Sequence, residues 1–138
     1  MNIVLDTNVL IMSISNGSRY HKIWSDFLHG KYTLCITNEI LLEYEEVFGR
    51  KMGANMAGRL VNTILQLENV MLVEDYYKMQ LITTDPDDNK FVDCAFAANA
   101  RYIVSEDHHY NVLREIDYPR IEVTDIESFV AMLKRNNS

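Results

Sequence analysis

Met1-Asn2-Ile3-Val4-Leu5-Asp6-Thr7-Asn8-Val9-Leu10 opens the chain with an apolar, strand-like run that stops at a carboxylate. Asn2–Leu5 reads as the first strand, and the pattern that follows repeats its logic. Tyr20–His29 has Ile23, Trp24, Phe27 and Leu28 at helical spacing, with Gly30 as the helix stop. Tyr32–Ile36 is a second strand. Thr37 or Asn38 caps a helix to about Phe48, with Gly49 and Gly53 marking its break. Ala57, Leu60, Val61, Ile64 and Leu65 form the apolar stripe of the next helix. Val70–Val73 is a third strand, and Asp85-Pro86-Asp87-Asp88 a turn. Asp88 or Asn89 caps a helix to about Ala100, and Tyr102–Val104 is a fourth strand. His109–Glu115 looks helical, Ile121–Val123 is a fifth strand, and Thr124 or Asp125 caps a last helix through Phe129, Met132 and Leu133. Short strands alternating with longer helices predict an α/β chain with a parallel sheet covered on both faces.

The size of the chain, 138 residues, is that of one domain, and 48% hydrophobic residues are enough for a real core. There is no repeat, linker or low-complexity tract. No apolar run nears the ~20 residues of a membrane span, and the start lacks a signal-peptide pattern, so a cytoplasmic protein with no membrane partner is expected. Cys35 and Cys94 sit in apolar segments without CxxC spacing and read as buried thiols. The net charge of −7 argues against binding long duplex by phosphate neutralisation. Contact with nucleic acid would need bound metal and a local basic patch.

Four carboxylates stand where a charge is expensive. Asp6 ends the first strand. Glu43 shares a helix face with Ile40 and Val47 at i, i+3, i+7. Asp93 is the single charge within Phe91-Val92-Asp93-Cys94-Ala95-Phe96-Ala97-Ala98, and Asp107 follows the fourth strand. Each also has an ordinary reading. Asp6 could cap a helix, Glu43 could reach water from the stripe edge, and Asp93 could pair with Lys90 or with another helix. Asp107 could be a loop acid, and Asp88 an N-cap that also stands near a metal. Taken together the four suggest a shared cation. Hard oxygen ligands suit Mg2+ or Mn2+, and such ions can activate a water and stabilise the leaving oxygen of a phosphodiester. Ligands in parallel sheets bind beyond the carboxyl ends of the strands, where Asp6 and Asp107 both fall. Asn8 could add a neutral ligand or orient Asp6, and Ser105 could do the same for Asp107.

At these residues the chain resembles a PIN-domain ribonuclease, over nearly its whole length, 1–138. The resemblance is carried by Asp6-Thr7-Asn8-Val9, by Glu43 after the second strand, by Asp88-Asn89-Lys90-Phe91 with Asp93, and by Val104-Ser105-Glu106-Asp107. DTNV alone is weak; the ordered set is strong. The resemblance implies a three-layer α/β/α sandwich around a parallel sheet of about five strands. It implies Mg2+- or Mn2+-dependent cleavage of RNA, with Asp6, Glu43, Asp93 and Asp107 as the acidic quartet and Asp88 as a fifth candidate ligand. It also implies a toxin of a toxin–antitoxin pair, a homodimer, and a small antitoxin partner. The one departure, His108-His109-Tyr110 after Asp107, bears on any further acid there and not on the quartet. The four histidines lack metal spacing. Arg19, close after Asp6 in a polar loop with Tyr20, is the better candidate for RNA phosphate contact. Met52 and Met56 suit either a partner surface or the core.

Two rivals stand beside this reading. A signalling receiver domain would need a phosphoacceptor Asp after the third strand, which Glu74-Asp75 could offer. It would also need a Lys after the fifth, where Thr124-Asp125 stands instead. A non-catalytic PIN-like module that binds RNA or protein would keep the fold and lack metal-dependent activity.

Overall fold

The computed structural model describes residues 1–15, 17–74, 88–116 and 120–136. Its strands are β1 (Asn2–Leu5), β2 (Thr33–Ile36), β3 (Val70–Leu72), β4 (Tyr102–Val104) and β5 (Val123–Thr124). Its α-helices are α1 (Thr7–Ile14), α2 (His21–Leu28), α3 (Asn38–Met52), α4 (Ala54–Gln66), α5 (Asn89–Ala98) and α6 (Ile126–Asn136). A 3-10 helix covers His108–Glu115. The expected turn at Asp85-Pro86-Asp87, and Asp75, lie outside the described residues.

All strand pairings are parallel, and the five-stranded order is β3-β2-β1-β4-β5. Helices cover both faces in a three-layer α/β/α arrangement. The order differs from the 2-1-3-4-5 sheet of receiver domains, which removes that rival. From β1 the chain winds outward to β2 and β3, then returns to the other side of β1 as β4. The crevice at such a switch point opens at the carboxyl ends of the strands. Leu5 is in register with Val104 there.

Burial explains why these segments form these elements. Ile3, Val4, Leu5, Leu34, Ile36, Ile103 and Val104 are all 0% exposed, as strands covered on both faces should be. α5 packs on β1, β2 and β4 and is buried around most of its girth, which accounts for its near-continuous apolar sequence. Thr37 caps α3, its hydroxyl accepting from Ile40 N–H at 3.2 Å. Cys35 and Cys94 are buried and form no disulfide.

Three elements differ from expectation. α1 was not among the stretches read as helical: it is eight residues long and mixes polar Thr7, Asn8 and Ser13 with its apolar positions. Ser13 turns its hydroxyl back to Leu10 O at 2.7 Å, which lets a polar residue sit fully buried there. α3 runs through Gly49 to Met52. A glycine costs a helix about 1 kcal/mol against alanine, and here α4 packs against it, a Cβ at Gly49 standing 3.5 Å from that of Ala57. Gly53, at φ 91°, makes the actual break. β5 lies at Val123–Thr124 because those residues, not Ile121, hold register with Ile103 and Val104. Asp125 then caps α6, accepting from Ser128 N–H at 2.7 Å.

Candidate active site

At the switch point Asp6 lies near two of the acids that the sequence singled out, Asp107 and Glu43. Asp6 leaves β1 with its N–H bonded to Val104 O at 3.1 Å. Although it precedes α1, its side chain makes no cap bond, so the ordinary helix-cap reading of Asp6 does not hold. Its Oδ2 instead accepts from the Ser105 hydroxyl at 2.7 Å, and that hydroxyl in turn accepts from the Asp107 N–H at 3.0 Å. Ser105 thus ties the ends of β1 and β4 together and sets Asp6 against the Asp107 loop.

Asp6 is 9% exposed. Burial pushes its carboxyl above the ordinary range, and the nearby charges of Asp107 and Glu43 push the same way. The Ser105 hydroxyl and the Thr7 N–H pull it back down. Two like charges close enough to raise a third mean that Asp6, Asp107 and Glu43 share one electrostatic neighbourhood.

Glu43 projects half-buried from α3. Lys90 Nζ on α5 stands 2.7 Å from its Oε1, and the Thr7 hydroxyl donates to its Oε2. The next residue, Tyr44, is fully buried and donates to Leu5 O at 2.5 Å. That bond fixes α3 to the end of β1, one residue before Asp6. From α5, Asp93 is 3% exposed, and Asp88, Asn89 and Lys90 are each 9% exposed. Asp88 stands at the helix start but makes no cap bond either. Lys90, which the sequence offered as a partner for Asp93, forms an ion pair across to Glu43 on α3.

Tyr110 lies near Asp6, Asp88, Asp107 and Glu43. It is 1% exposed, and its hydroxyl has no hydrogen-bond partner. Burial raises its phenol far above the ordinary range, and the charges of Asp6, Asp88, Asp107 and Glu43 add to that. A donor left alone among acids is costly to bury, by about 1–3 kcal/mol, so it suits a pocket that is completed by a bound group. As the side chains are placed, no three His, Cys, Asp or Glu among the described residues gather round one point. Lys90, Thr7 and Ser105 hold carboxylate oxygens instead. The donor set is nonetheless all oxygen, strongly acidic and provided with an unsatisfied hydroxyl, and it fits a hard divalent cation.

Two outcomes follow from this geometry. Ser105→Ala removes the hydrogen bonds on both sides of the hydroxyl. Mn2+ affinity measured by calorimetry should fall about 10- to 100-fold, as for other groups that orient ligands, while the fold persists. The second outcome concerns pH. A raised Asp6 pKa stabilises the metal-free fold below the ordinary carboxylate range, and this contribution is lost as pH rises through the raised value. Metal needs the ionised form. The increase in Tm caused by Mn2+ should therefore be larger at pH 7.5 than at pH 5; an equal shift at both would place the ion elsewhere.

The remaining sequence candidates lie further out. Asn8 is exposed. Arg19 is exposed and engaged: its guanidinium pairs with Glu127 on α6 and lies 5.1 Å from the centre of the Tyr20 ring, whose hydroxyl also reaches Glu127 at 3.0 Å. His108 is exposed, and Met52 and Met56 are 54% and 38% exposed. Glu106 turns away from the site and accepts from Ile126 N–H at 2.8 Å, bracing α6. Beside Asp107 an open cleft runs past Asn111 and Arg114 to Thr124 and Asp125. Sequence reading missed Thr7, Tyr44 and Tyr110, whose roles come from partners distant in the chain.

Among the described residues no helix is long and apolar enough to cross a membrane. Comparison with curated protein sequences finds no match. Among solved structures, the chain is similar to one in the crystal structure of VapBC2 from Rickettsia felis bound to a DNA fragment from their promoter. The TM-score is 0.62 at 16% identity, over 91% of this chain and 98% of that one, a likeness of fold. The family model described as PIN domain matches residues 2–109. That match takes in Asp6, Glu43, Asp88, Asp93 and Asp107, and the chain belongs to the PIN-domain family.

Proposed function

We propose that this PIN domain is a metal-dependent endoribonuclease and the toxin of a toxin–antitoxin pair, with residues 1–138 acting as one unit. The observation that carries the reading is the Asp6–Ser105–Asp107 link at the switch point, with the Tyr110 hydroxyl buried and unsatisfied beside it. Asp6, Asp93 and Asp107 are the residues that would hold Mg2+ or Mn2+, with Asp88 at the margin. When bound, the cation supplies charge neutralisation at the scissile phosphate and lowers the pKa of a water.

The other residues prepare that chemistry. Ser105 holds Asp6 in one orientation. Asp107, close to Asp6, can accept a proton from the attacking water, and Glu43 adds negative charge beside them. Tyr110 can donate to an oxygen of the bound group. The cleft with Asn111 and Arg114 gives the RNA strand a polar floor and one cation, and a phosphate contact there positions the chain without reading its sequence. Asn8, at the exposed rim, can touch the substrate. Arg19 is held by Glu127 and would reach RNA only on release from it.

The VapBC2 likeness, a toxin–antitoxin-like structural match, supports a small antitoxin as partner; a homodimer and a cytoplasmic setting complete the proposal. One observation favours the non-catalytic alternative: protein groups, not a gathered ligand set, hold the carboxylate oxygens. The experiment is cleavage of labelled single-stranded and tRNA-like RNA with Mn2+, Mg2+ or EDTA. Cleavage that EDTA abolishes supports the nuclease. Absence of both cleavage and Mn2+ binding leaves the binding module.

A further inference from the structure

Lys90 brings a buried positive charge into the acidic pocket. It is 9% exposed, sits one turn before Asp93 on α5, and places its ammonium 2.7 Å from Glu43 Oε1. The other Glu43 oxygen is taken by Thr7. Glu43 therefore has both oxygens engaged by the protein, whereas Asp6 is held by a neutral hydroxyl that leaves its charge uncompensated. An ion pair with one partner buried and the other half-buried is a poor device for stability, since the cost of taking charge out of water offsets much of the attraction. The partner of Lys90, Glu43, shares the electrostatic neighbourhood of Asp6, which points to a role in the pocket.

We propose that Lys90 is a built-in cation of the site: it occupies the cation position beside Glu43, withholds that carboxylate from metal, and limits the pocket to one divalent ion held by Asp6, Asp93 and Asp107. This rests on the metal-nuclease reading above. Two-metal centres place their ions about 3.5–4 Å apart, bridged by shared carboxylates. An ammonium in contact with Glu43 stands where a second ion would need that oxygen. Two positive centres so close would repel by several kcal/mol in a partly buried site, so Lys90 and a second metal exclude each other. Lys90 is here a positioning residue that acts through Glu43.

The test is Mn2+ binding to the full chain, read by calorimetry and by electron paramagnetic resonance, which detects spin coupling between adjacent ions. Wild type and Lys90→Arg should each bind one uncoupled Mn2+. Lys90→Gln frees Glu43 and should take a second ion with a spin-coupled signal. Glu43→Gln combined with Lys90→Gln removes the pair without leaving a buried charge. It should return to one ion, with affinity within about threefold of wild type because the net charge of the site is unchanged. This double variant also guards against a fold lost in Lys90→Gln. The inference is overturned by a second ion in wild type, by a single ion in a folded Lys90→Gln, or by loss of the ion in the double variant, which would make Glu43 a ligand. Absence of Mn2+ binding in wild type would overturn the metal reading as well, a result distinct from the other three.

Discussion

Replacing Asp6 and Asp93 together by asparagine is expected to reduce RNA cleavage at least about a thousandfold and to abolish Mn2+ binding. The two residues stand on different elements, Asp6 just after β1 and Asp93 on α5. They are 9% and 3% exposed, so neither is replaceable by a passing surface acid. Asparagine keeps the size and the capacity to accept from Ser105, but it lacks the charge that attracts a divalent ion. The expected signature is opposite in sign for stability. Burial raises the Asp6 pKa, so its charged form is disfavoured by the fold around it. Asp6→Asn alone should melt higher than wild type in EDTA at neutral pH, and should lose the rise in Tm that Mn2+ gives to wild type. A variant that cuts RNA as well as wild type would defeat the catalytic assignment. One that melts far lower in EDTA would show that Asp6 is a structural carboxylate.

Phe129→Ala is expected to give the largest loss of stability, with no direct change at the site. Phe129 is fully buried on α6, and its ring meets Tyr32 edge-on with centroids 5.4 Å apart and planes at 78°. Tyr32 in turn lies against Phe27, which meets Trp24, so one aromatic stack joins α6, the residue that leads into β2, and α2. Removing a buried phenyl ring costs about 3–5 kcal/mol through lost burial and the cavity left behind. Against a total stability of about 5–15 kcal/mol this is a large share, and Tm should fall by on the order of 10–20 °C. Urea denaturation with Mn2+ titration of the folded fraction separates the two effects: stability should drop while metal affinity holds. A small change in stability would mean that α6 is dispensable to the core. A parallel loss of metal affinity would show that the stack governs the crevice.

These two substitutions mark the boundary between what was legible in the residues and what was not. The strands announced themselves because apolar runs such as Ile3-Val4-Leu5 are local patterns with no competing period. The acids announced themselves because Asp93 interrupts an apolar helix and Asp6 ends an apolar strand. α1 escaped because eight residues of mixed polarity give no clear period, and β5 was displaced because two residues are too few for one. Lys90 was legible as a cation one turn before Asp93, but its ion pair with Glu43 on α3 was not. Tyr110 gave no signal at all, since a tyrosine in a polar stretch is ordinary until its hydroxyl is found without a partner.

By itself, then, the sequence determined the parallel α/β class, the helices and strands of strong period, and the set of carboxylates placed at the ends of apolar segments. These are properties of neighbours along the chain. The tertiary structure alone decided which groups those carboxylates meet. Ser105 reaches Asp6 across 99 positions and Thr7 reaches Glu43 across 36, contacts that exist only because β4 returns beside β1 and α3 folds back over its end. Side-chain partners are set by where distant backbone segments cross, and local pattern carries no record of that.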